Sequence, residues 1–475
     1  MQTSYNLQLH YINCDLKPKP TDGKPMQKLH LILFGFLIAI NSSTFAATST
    51  NTIPDNTHEY KLDNGLKIIV KEDHRSPLAV VQVWYKVGGS YEHDGITGIS
   101  HALEHMMFRG TKLHPKDEFV RFISINGGDQ NAFTTDDFTA YFEEIDKNQL
   151  KLCLELEADR MNNLELSEEA FEQEIKVVRE ERRLRVDDNP EALTFERLGA
   201  AAHISSPYHH DTIGWMNDLE NMKVEDLKKW YKTWYAPNNA ILVVVGDVNP
   251  EEVYTLAKTY FGPLSPIEIP KLKPRKEIPF MGKRSVQVEG NATVPRLFMG
   301  YNVPSLVTNT DQNEPYALYV LLMALDGGNS SRFSRDLIRQ QGLVANINSW
   351  YNPFTLHDPL LLFSAIPTQN HTVAELETAF TKQIEKLQTE LLSVEELARV
   401  KTNVIAEHTF SHDSMSDQAT ELGMMEAVGL PWQLANTYPD HIQMITAEQV
   451  QKVAQKYLIP TRLTTAELIP QKSGM

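Results

Sequence analysis

Cysteine is nearly absent: the 475 residues hold two, Cys14 and Cys153. So few thiols exclude a disulfide framework and a cysteine-based zinc site. Any bound metal must be held by histidine and carboxylate. Positive charge is also scarce. Against 62 acidic residues stand 45 basic ones, a net charge of −17, which leaves no basic excess to meet nucleic-acid phosphates. Apolar runs are short. Residues 31–40 make a run of ten, too short to span a bilayer comfortably. What remains is 41% hydrophobic and 23% charged, an ordinary globular composition, and the length suits about two to four domains.

That short apolar run sits in the context of an export signal. Met26-Gln-Lys-Leu-His supplies a basic start, residues 31–40 the apolar centre, and Thr44-Phe-Ala46 a small-x-small exit. This is the layout of a secretory signal peptide. We expect a signal at residues 26–46, cleavage after Ala46, and a periplasmic chain without a permanent membrane anchor. Residues 1–25 are then an extension upstream of the true start.

The chemistry concentrates in Gly98-Ile-Ser-His-Ala-Leu-Glu-His-Met-Met-Phe-Arg-Gly110. Gly110 is a helix stop, so residues 99–109 read as a helix. At about 100° per residue, His101, Glu104, His105 and Phe108 share one face. Ala102, Leu103, Met106 and Met107 form the opposite, core-facing one. Two neutral imidazoles at i and i+4 suit a tetrahedral zinc, and Glu104 is placed to act on water held at the metal. The order His-x-x-Glu-His is the inverted form of the His-Glu-x-x-His zinc motif. The bland alternative is a surface helix with two solvated histidines.

Residues 167–188 form a second informative helix. Glu181, seven residues after Glu174, returns to nearly the same direction. Ala170, Val177 and Val178 share that face, flanked by Phe171 and Leu184. Glu172, Lys176, Arg179, Glu180 and Arg183 lie on the charged side. A carboxylate on a buried stripe needs a cation or metal. Glu181 is therefore the candidate third ligand, and Glu174 a carboxylate placed to orient a ligand histidine. Both can instead bridge to arginines at the stripe edge, the preferable reading in the absence of the His-x-x-Glu-His helix.

Around these helices the first half reads as sheet. Residues 60–70 open a hairpin with Asn64-Gly65 at its turn, and residues 78–87 are a strong strand. A helix covers 115–126 and another 148–164. Residues 127–142 are two short strands about a polar turn. Asn131-Ala132-Phe133-Thr134 fits an edge strand, which can accept an extended peptide by main-chain pairing. From these residues alone an ordinary edge strand is the simpler reading. His209 and His210 are adjacent, share no face, and read as loop histidines.

Together these motifs resemble the pitrilysin/insulysin family of inverted-motif zinc peptidases, in its mitochondrial-processing-peptidase-like and bacterial branch. The matching parts are His101-x-x-Glu104-His105, Glu174 and Glu181, Asn131-Ala132-Phe133-Thr134, Asp188-Asn189-Pro190, and residues 235–247. The likeness covers nearly all of residues 55–470. It implies that His101, His105 and Glu181 bind one zinc ion per chain and that Glu104 is the catalytic base. It also implies that Asn131, Ala132 and Phe133 pair with a peptide substrate.

Pro263, Pro266, Pro270, Pro274 and Pro279 punctuate a charged linker at 263–282. After it the pattern restarts. Strands at 285–289 and 296–301 precede a helix at 315–325, where the first half carries its metal motif; this one has no histidine or glutamate. Further helices cover 372–391 and 393–412, the latter opened by a Ser393-x-x-Glu396 capping box. The expected fold is α+β: two homologous domains, 55–262 with the ligands and 283–470 degenerate, each a mostly antiparallel sheet covered by helices. In the family, the second half often supplies an Arg and a Tyr, seven residues apart, that grip substrate. Arg339 matches, but Asn346 stands where the Tyr belongs.

The reading is a zinc metalloendopeptidase for peptides or unfolded polypeptides. It is expected to be the zinc subunit of a homo- or hetero-dimer whose homologous partner carries the Arg/Tyr pair. The competing classes are a non-catalytic scaffold subunit of the same fold and an exported zinc-binding protein without hydrolysis.

Overall fold

The short apolar runs of the first half assemble into one sheet. Its strands are β1 (Thr57–Lys61), β2 (Lys67–Glu72), β3 (Leu78–Tyr85), β4 (Asp129–Thr134), β5 (Thr139–Asp146) and β6 (Ala240–Gly246), in the order β1-β2-β6-β3-β5-β4. β2 and β6 run parallel; the other neighbours are antiparallel. The β1–β2 hairpin turns at Asn64-Gly65, where Gly65 has a φ of 95°. This computed structural model describes residues 56–471 except 117 and 280. The expected signal, its cleavage point and the upstream extension lie outside the described residues.

The helices of this half are α1 (Ile99–Met106), α2 (Glu118–Ile125), α3 (Leu150–Asn163), α4 (Glu168–Arg182), α5 (Pro190–Ala202), α6 (Met216–Asn221), α7 (Val224–Trp234) and α8 (Pro250–Tyr260). One face of the sheet meets α1, α3, α7 and α8 in a core that includes Val81, Leu103, Leu154, Leu227 and Val253. α1 is shorter than residues 99–109. It ends at Met106, and a turn carries the chain to Gly110, whose φ is 99°. α4 runs on into one π-helical turn at Arg183–Asp187.

The second half repeats the plan. Its strands are β7 (Arg284–Gly290), β8 (Arg296–Asn302), β9 (Val344–Trp350), β10 (Leu360–Pro367) and β11 (Leu463–Pro470), ordered β7-β11-β8-β10-β9, with β7 and β11 parallel. Read from the parallel pair outward, this is the path β2-β6-β3-β5-β4 again. Its helices are α9 (Asn313–Asp326), α10 (Val373–Thr389), α11 (Val394–Ser411), α12 (Met415–Ala427), α13 (Leu434–Met444) and α14 (Ala447–Tyr457). The molecule is thus a duplicated α+β fold of two mostly antiparallel sheets, as the sequence pattern implied.

Chain order would lay each helix over its own sheet, but two cross over. α5 packs on β7, β8 and β11, burying Leu198 against Phe298, Leu362 and Ala466. α12 packs on β3 and β6, burying Leu422 and Met425 against Trp84, Val243 and Val245. At Gly423 a Cβ would come within 2.2 Å of the Trp84 indole, so this contact requires glycine. The linker is also anchored: Glu277 Oε2 accepts from the Ile204 and Ser206 amides at 2.9 Å each. One local expectation is corrected. Ser393 Oγ accepts from the Glu396 amide at 3.1 Å, but Glu396 does not complete the capping box. Arg332 takes its carboxylate through Nε and Nη2 at 2.9 Å each. Complete boxes form at Thr372/Glu375 and Thr446/Gln449.

Candidate active site

The approach to α1 dictates its first residues. Gly98 has a φ of 84°, and a Cβ there would lie 2.3 Å from the Ile213 carbonyl oxygen. Glu92 satisfies the free amides of the helix start, accepting from Gly98 N at 2.7 Å and Ser100 N at 2.8 Å. Burial pushes the Glu92 carboxyl up to about 8.

All eight residues of α1 are buried. The histidine face does not look out to solvent, as the bland alternative had it, but is covered by α4 and β4. His101 Nε2 and His105 Nε2 face each other at 3.2 Å. Glu181 Oε2 lies 3.7 Å from the first and 3.3 Å from the second. Ligand atoms about 2.05 Å from a tetrahedral zinc stand roughly 3.3 Å apart. The three donors fit that ion, and a cation between them answers the two buried histidine nitrogens and the half-buried Glu181 oxygen at once. Burial, then the charges of His105 and Arg185, hold the His101 imidazole well below its usual range. It is therefore neutral, as a ligand must be.

Glu174 stands behind His105, with Oε1 3.0 Å from Nδ1. A proton on Nδ1 shared with this carboxylate turns the Nε2 lone pair toward His101 and Glu181. Burial drives Glu174 upward, but the bonds from His105 and Arg109 outweigh it and hold the carboxyl below its usual range. Glu181 Oε1 meets Arg185 Nε at 2.9 Å. The arginine bridges weighed as an alternative therefore exist, while each carboxylate turns its second oxygen to the histidines.

The stripe drawn on α4 needs correction. Val177 and Leu184 are 48% and 72% exposed. The buried line is Phe171, Glu174, Ile175, Val178 and Arg182, centred roughly 60° round the helix from Glu174. Glu181 sits on its margin. Arg182, unremarked in the sequence, is buried and donates to Glu196 Oε1 and the Gly214 carbonyl at 2.7 Å each.

Glu104 is buried beside the donors, and its Oε2 accepts from Thr134 Oγ1 at 2.5 Å. Burial raises its carboxyl to about 7, against the opposing pull of His105 and the Thr134 bond. Sequence reasoning placed Thr134 in the edge strand but missed its bond to Glu104. The available signal was strand alternation: Thr134 shares a face with Ala132, which points into the helix-side core. β4 is an edge strand of its sheet. Its Ala132 amide donates to Asn131 Oδ1 at 2.9 Å, and Phe133 packs edge-on to Trp84 with centroids 5.4 Å apart.

Other candidates lie apart from this cluster. Arg339 is exposed in the π-helical segment Phe333–Gln340 and donates to the Asn329 carbonyl. Asn346 is on β9, the counterpart of β4. His209 Nε2 meets Asp94 at 3.2 Å, and His210 Nδ1 faces the Asp211 carbonyl. Among the described residues no helix is long and apolar enough to cross a membrane.

Fold and donor set define a class: a duplicated, two-lobed protein with a His-His-Glu cluster beneath its first sheet, of a kind that holds zinc. Comparison with known proteins agrees. Residues 67–214 match the family described as Insulinase (Peptidase family M16), and residues 221–404 match the Peptidase M16 inactive domain. The zinc protease PqqE of Helicobacter pylori is 32% identical over 86% of this chain and 92% of its own length. A solved protease from Helicobacter pylori superposes with a TM-score of 0.82 at 31% identity, covering 88% of this chain and all of that one. The periplasmic protease PqqL from Escherichia coli shares the fold alone, with a TM-score of 0.73 at 18% identity. It matches 88% of this chain but only 48% of its own. The chain belongs to the insulinase (M16) peptidase family.

Proposed function

We propose that the chain is a zinc-dependent metalloendopeptidase acting on extended peptides or unfolded polypeptides. The observation that carries this reading is the donor geometry, two buried histidine nitrogens and one oxygen of the half-buried Glu181 lying 3.2–3.7 Å apart with Glu104 beside them. His101, His105 and Glu181 would hold one zinc per chain, and Glu174 would orient His105. Bound there, zinc would supply Lewis acidity to a water and to the scissile carbonyl. Glu104 takes the proton of the attacking water and returns it to the leaving amine. A carboxyl lifted to about 7 suits both directions of that transfer. Thr134 fixes one oxygen of Glu104, so the other is directed rather than free to rotate. An extended substrate pairs with β4 along Asn131, Ala132 and Phe133. Its carbonyl takes the place of Asn131 Oδ1 at the Ala132 amide.

The second lobe lacks the motif, and Asn346 stands where a substrate-gripping Tyr is expected. We therefore read the chain as the zinc subunit of a dimer whose homologous partner supplies the Arg/Tyr pair, with Arg339 as a remnant. The Escherichia coli protease, about twice as long, supports a pairing of two such two-lobed units. The layout of residues 26–46 supports export to the periplasm. A scaffold role is the second reading, favoured by the inactive-domain match over residues 221–404.

Glu104→Gln separates the two. A peptidase keeps its zinc and loses about 10²–10⁴-fold in turnover of an unstructured peptide. Equal hydrolysis by the variant overturns Glu104 as base, and no hydrolysis by the native chain, with or without a homologous partner, favours the scaffold. Full cleavage by the isolated chain, unchanged when a partner is added, removes the subunit reading.

A further inference from the structure

The second lobe contains a triad that its sheet topology does not require. His408 and His412 stand at i and i+4 on the last turn of α11 and the residue after it. Glu421, from α12, lies between them. His408 Nε2 is 2.9 Å from Glu421 Oε1, and His412 Nε2 is 2.8 Å from Glu421 Oε2. The two rings have centroids 4.5 Å apart, against 4.6 Å for His101 and His105. Both sites thus place two imidazoles at i and i+4 with a glutamate from a neighbouring helix at their Nε2 atoms, through one oxygen of Glu181 in the first and through both oxygens of Glu421 in the second. The three side chains are 12%, 29% and 17% exposed, so the cluster is half-buried with one side open to solvent.

The surroundings fix these groups. Tyr438, itself buried, lies against the His408 ring at 5.0 Å. The His412 carbonyl accepts from Arg75 Nη2 at 2.8 Å and from Gln418 Nε2 at 2.9 Å. One potential ligand atom from each residue lies within 4.8 Å of the others. The histidine–carboxylate separations are slightly inside the roughly 3.3 Å edge of a tetrahedral site. Rotation about the soft terminal torsion of Glu421 opens them.

We propose that His408, His412 and Glu421 form a second metal site, for a divalent transition ion of the zinc class. Two imidazoles and one carboxylate select zinc, nickel or copper over calcium and magnesium, which take oxygen ligands. The fourth position faces solvent. The ion ties α11 to α12, the helix that crosses beneath β3 and β6, and so fastens one lobe to the other.

The test uses tag-free protein, stripped of metal by a chelator, reloaded with zinc and dialysed, with zinc per chain counted by mass spectrometry. The expected ratios are two for the native chain, one for Glu421→Gln and one for His105→Ala. Zinc should raise the thermal midpoint of His105→Ala and not that of His105→Ala/Glu421→Gln. A fall of one equivalent in folded Glu421→Gln supports the second site whatever the state of the first. If Glu421→Gln does not fold, the zinc count of His105→Ala decides: one supports the proposal and none overturns it. An unchanged ratio in Glu421→Gln also overturns it.

Discussion

Apart from the extra edge strand β1 of the first, the two lobes trace the same strand path, and their helices differ most over the middle of the sheet. In each, a helix follows the middle strand: α1 after β3, α9 after β8. α1 buries His101, Glu104 and His105. α9 buries Tyr316, Leu318, Leu321 and Leu325 instead. A buried polar face is tolerable only when other groups answer it. Thr134 of β4 and Glu174 and Glu181 of α4 do so around α1, while Glu92 takes the amides of Gly98 and Ser100 at its start. α9 buries one carboxylate, Glu314 in its first turn, bonded by Asn309, Lys456 and Tyr457; the apolar stretch after it calls for no such set. Architecture therefore resides in what the lobes share, and the candidate chemistry in a few side chains that face one another across α1, α4 and β4.

The sharpest contrast between the lobes is a matched pair of substitutions. His105→Ala should lose zinc from the first site by more than the ~100-fold typical of outer-shell changes, and hydrolysis with it. Tyr316→Phe, in the matching helix, should change neither. Metal counting and peptide turnover report both, and an equal effect from the two would break the comparison. Next come the crossed helices. Leu422→Ala and Leu198→Ala each leave a cavity in an inter-lobe core and should cost about 2–5 kcal/mol. Leu422 should stand at the upper end, because its cluster is the larger. Denaturant titration measures the difference, and a loss under ~0.5 kcal/mol for both would mean that the lobes do not depend on the exchange. Glu174→Gln should weaken zinc binding about 10–100-fold, read by competition with a chelator; unchanged affinity would remove its role behind His105.

The smallest effect is a pH dependence at the lobe junction. Hydrogen bonds from Arg75 lower the Asp73 carboxyl to about 2; burial opposes them and Gln418 of α12 adds to them. A carboxyl depressed in the folded state adds stability above its unfolded value near 4, and that stability is lost as pH falls toward 2. Arg75 is 52% exposed, so solvent screening limits the contribution to about 1 kcal/mol. Asp73→Asn should lower the thermal midpoint at pH 6 and lower it clearly less at pH 2.5, where part of the contribution has already been lost. The same loss at both values would assign the effect to packing.

Local rules made much of this legible. The His-x-x-Glu-His spacing, the Asn64-Gly65 turn, the β4 edge and the proline-marked linker each depend on residues close in sequence. The degenerate repeat was visible because α9 stands in the same place in the strand order as α1. What escaped were relations across the chain. Nothing near Leu198 or Leu422 says which sheet each will cover. Thr134 bonds Glu104 from 30 residues away. Arg332 draws Glu396 out of a capping box the local sequence spells correctly. The α4 stripe was misjudged by a fraction of a turn, because periodicity gives a helix an apolar side but not the angle at which its neighbours approach.

The central claim is that the first lobe holds zinc between His101, His105 and Glu181. Anomalous diffraction at the zinc edge, from crystals of the zinc-loaded chain, tests it most directly. The account predicts a peak within bonding distance of both Nε2 atoms and Glu181 Oε2. The absence of a peak there, in crystals whose protein binds zinc, would contradict it.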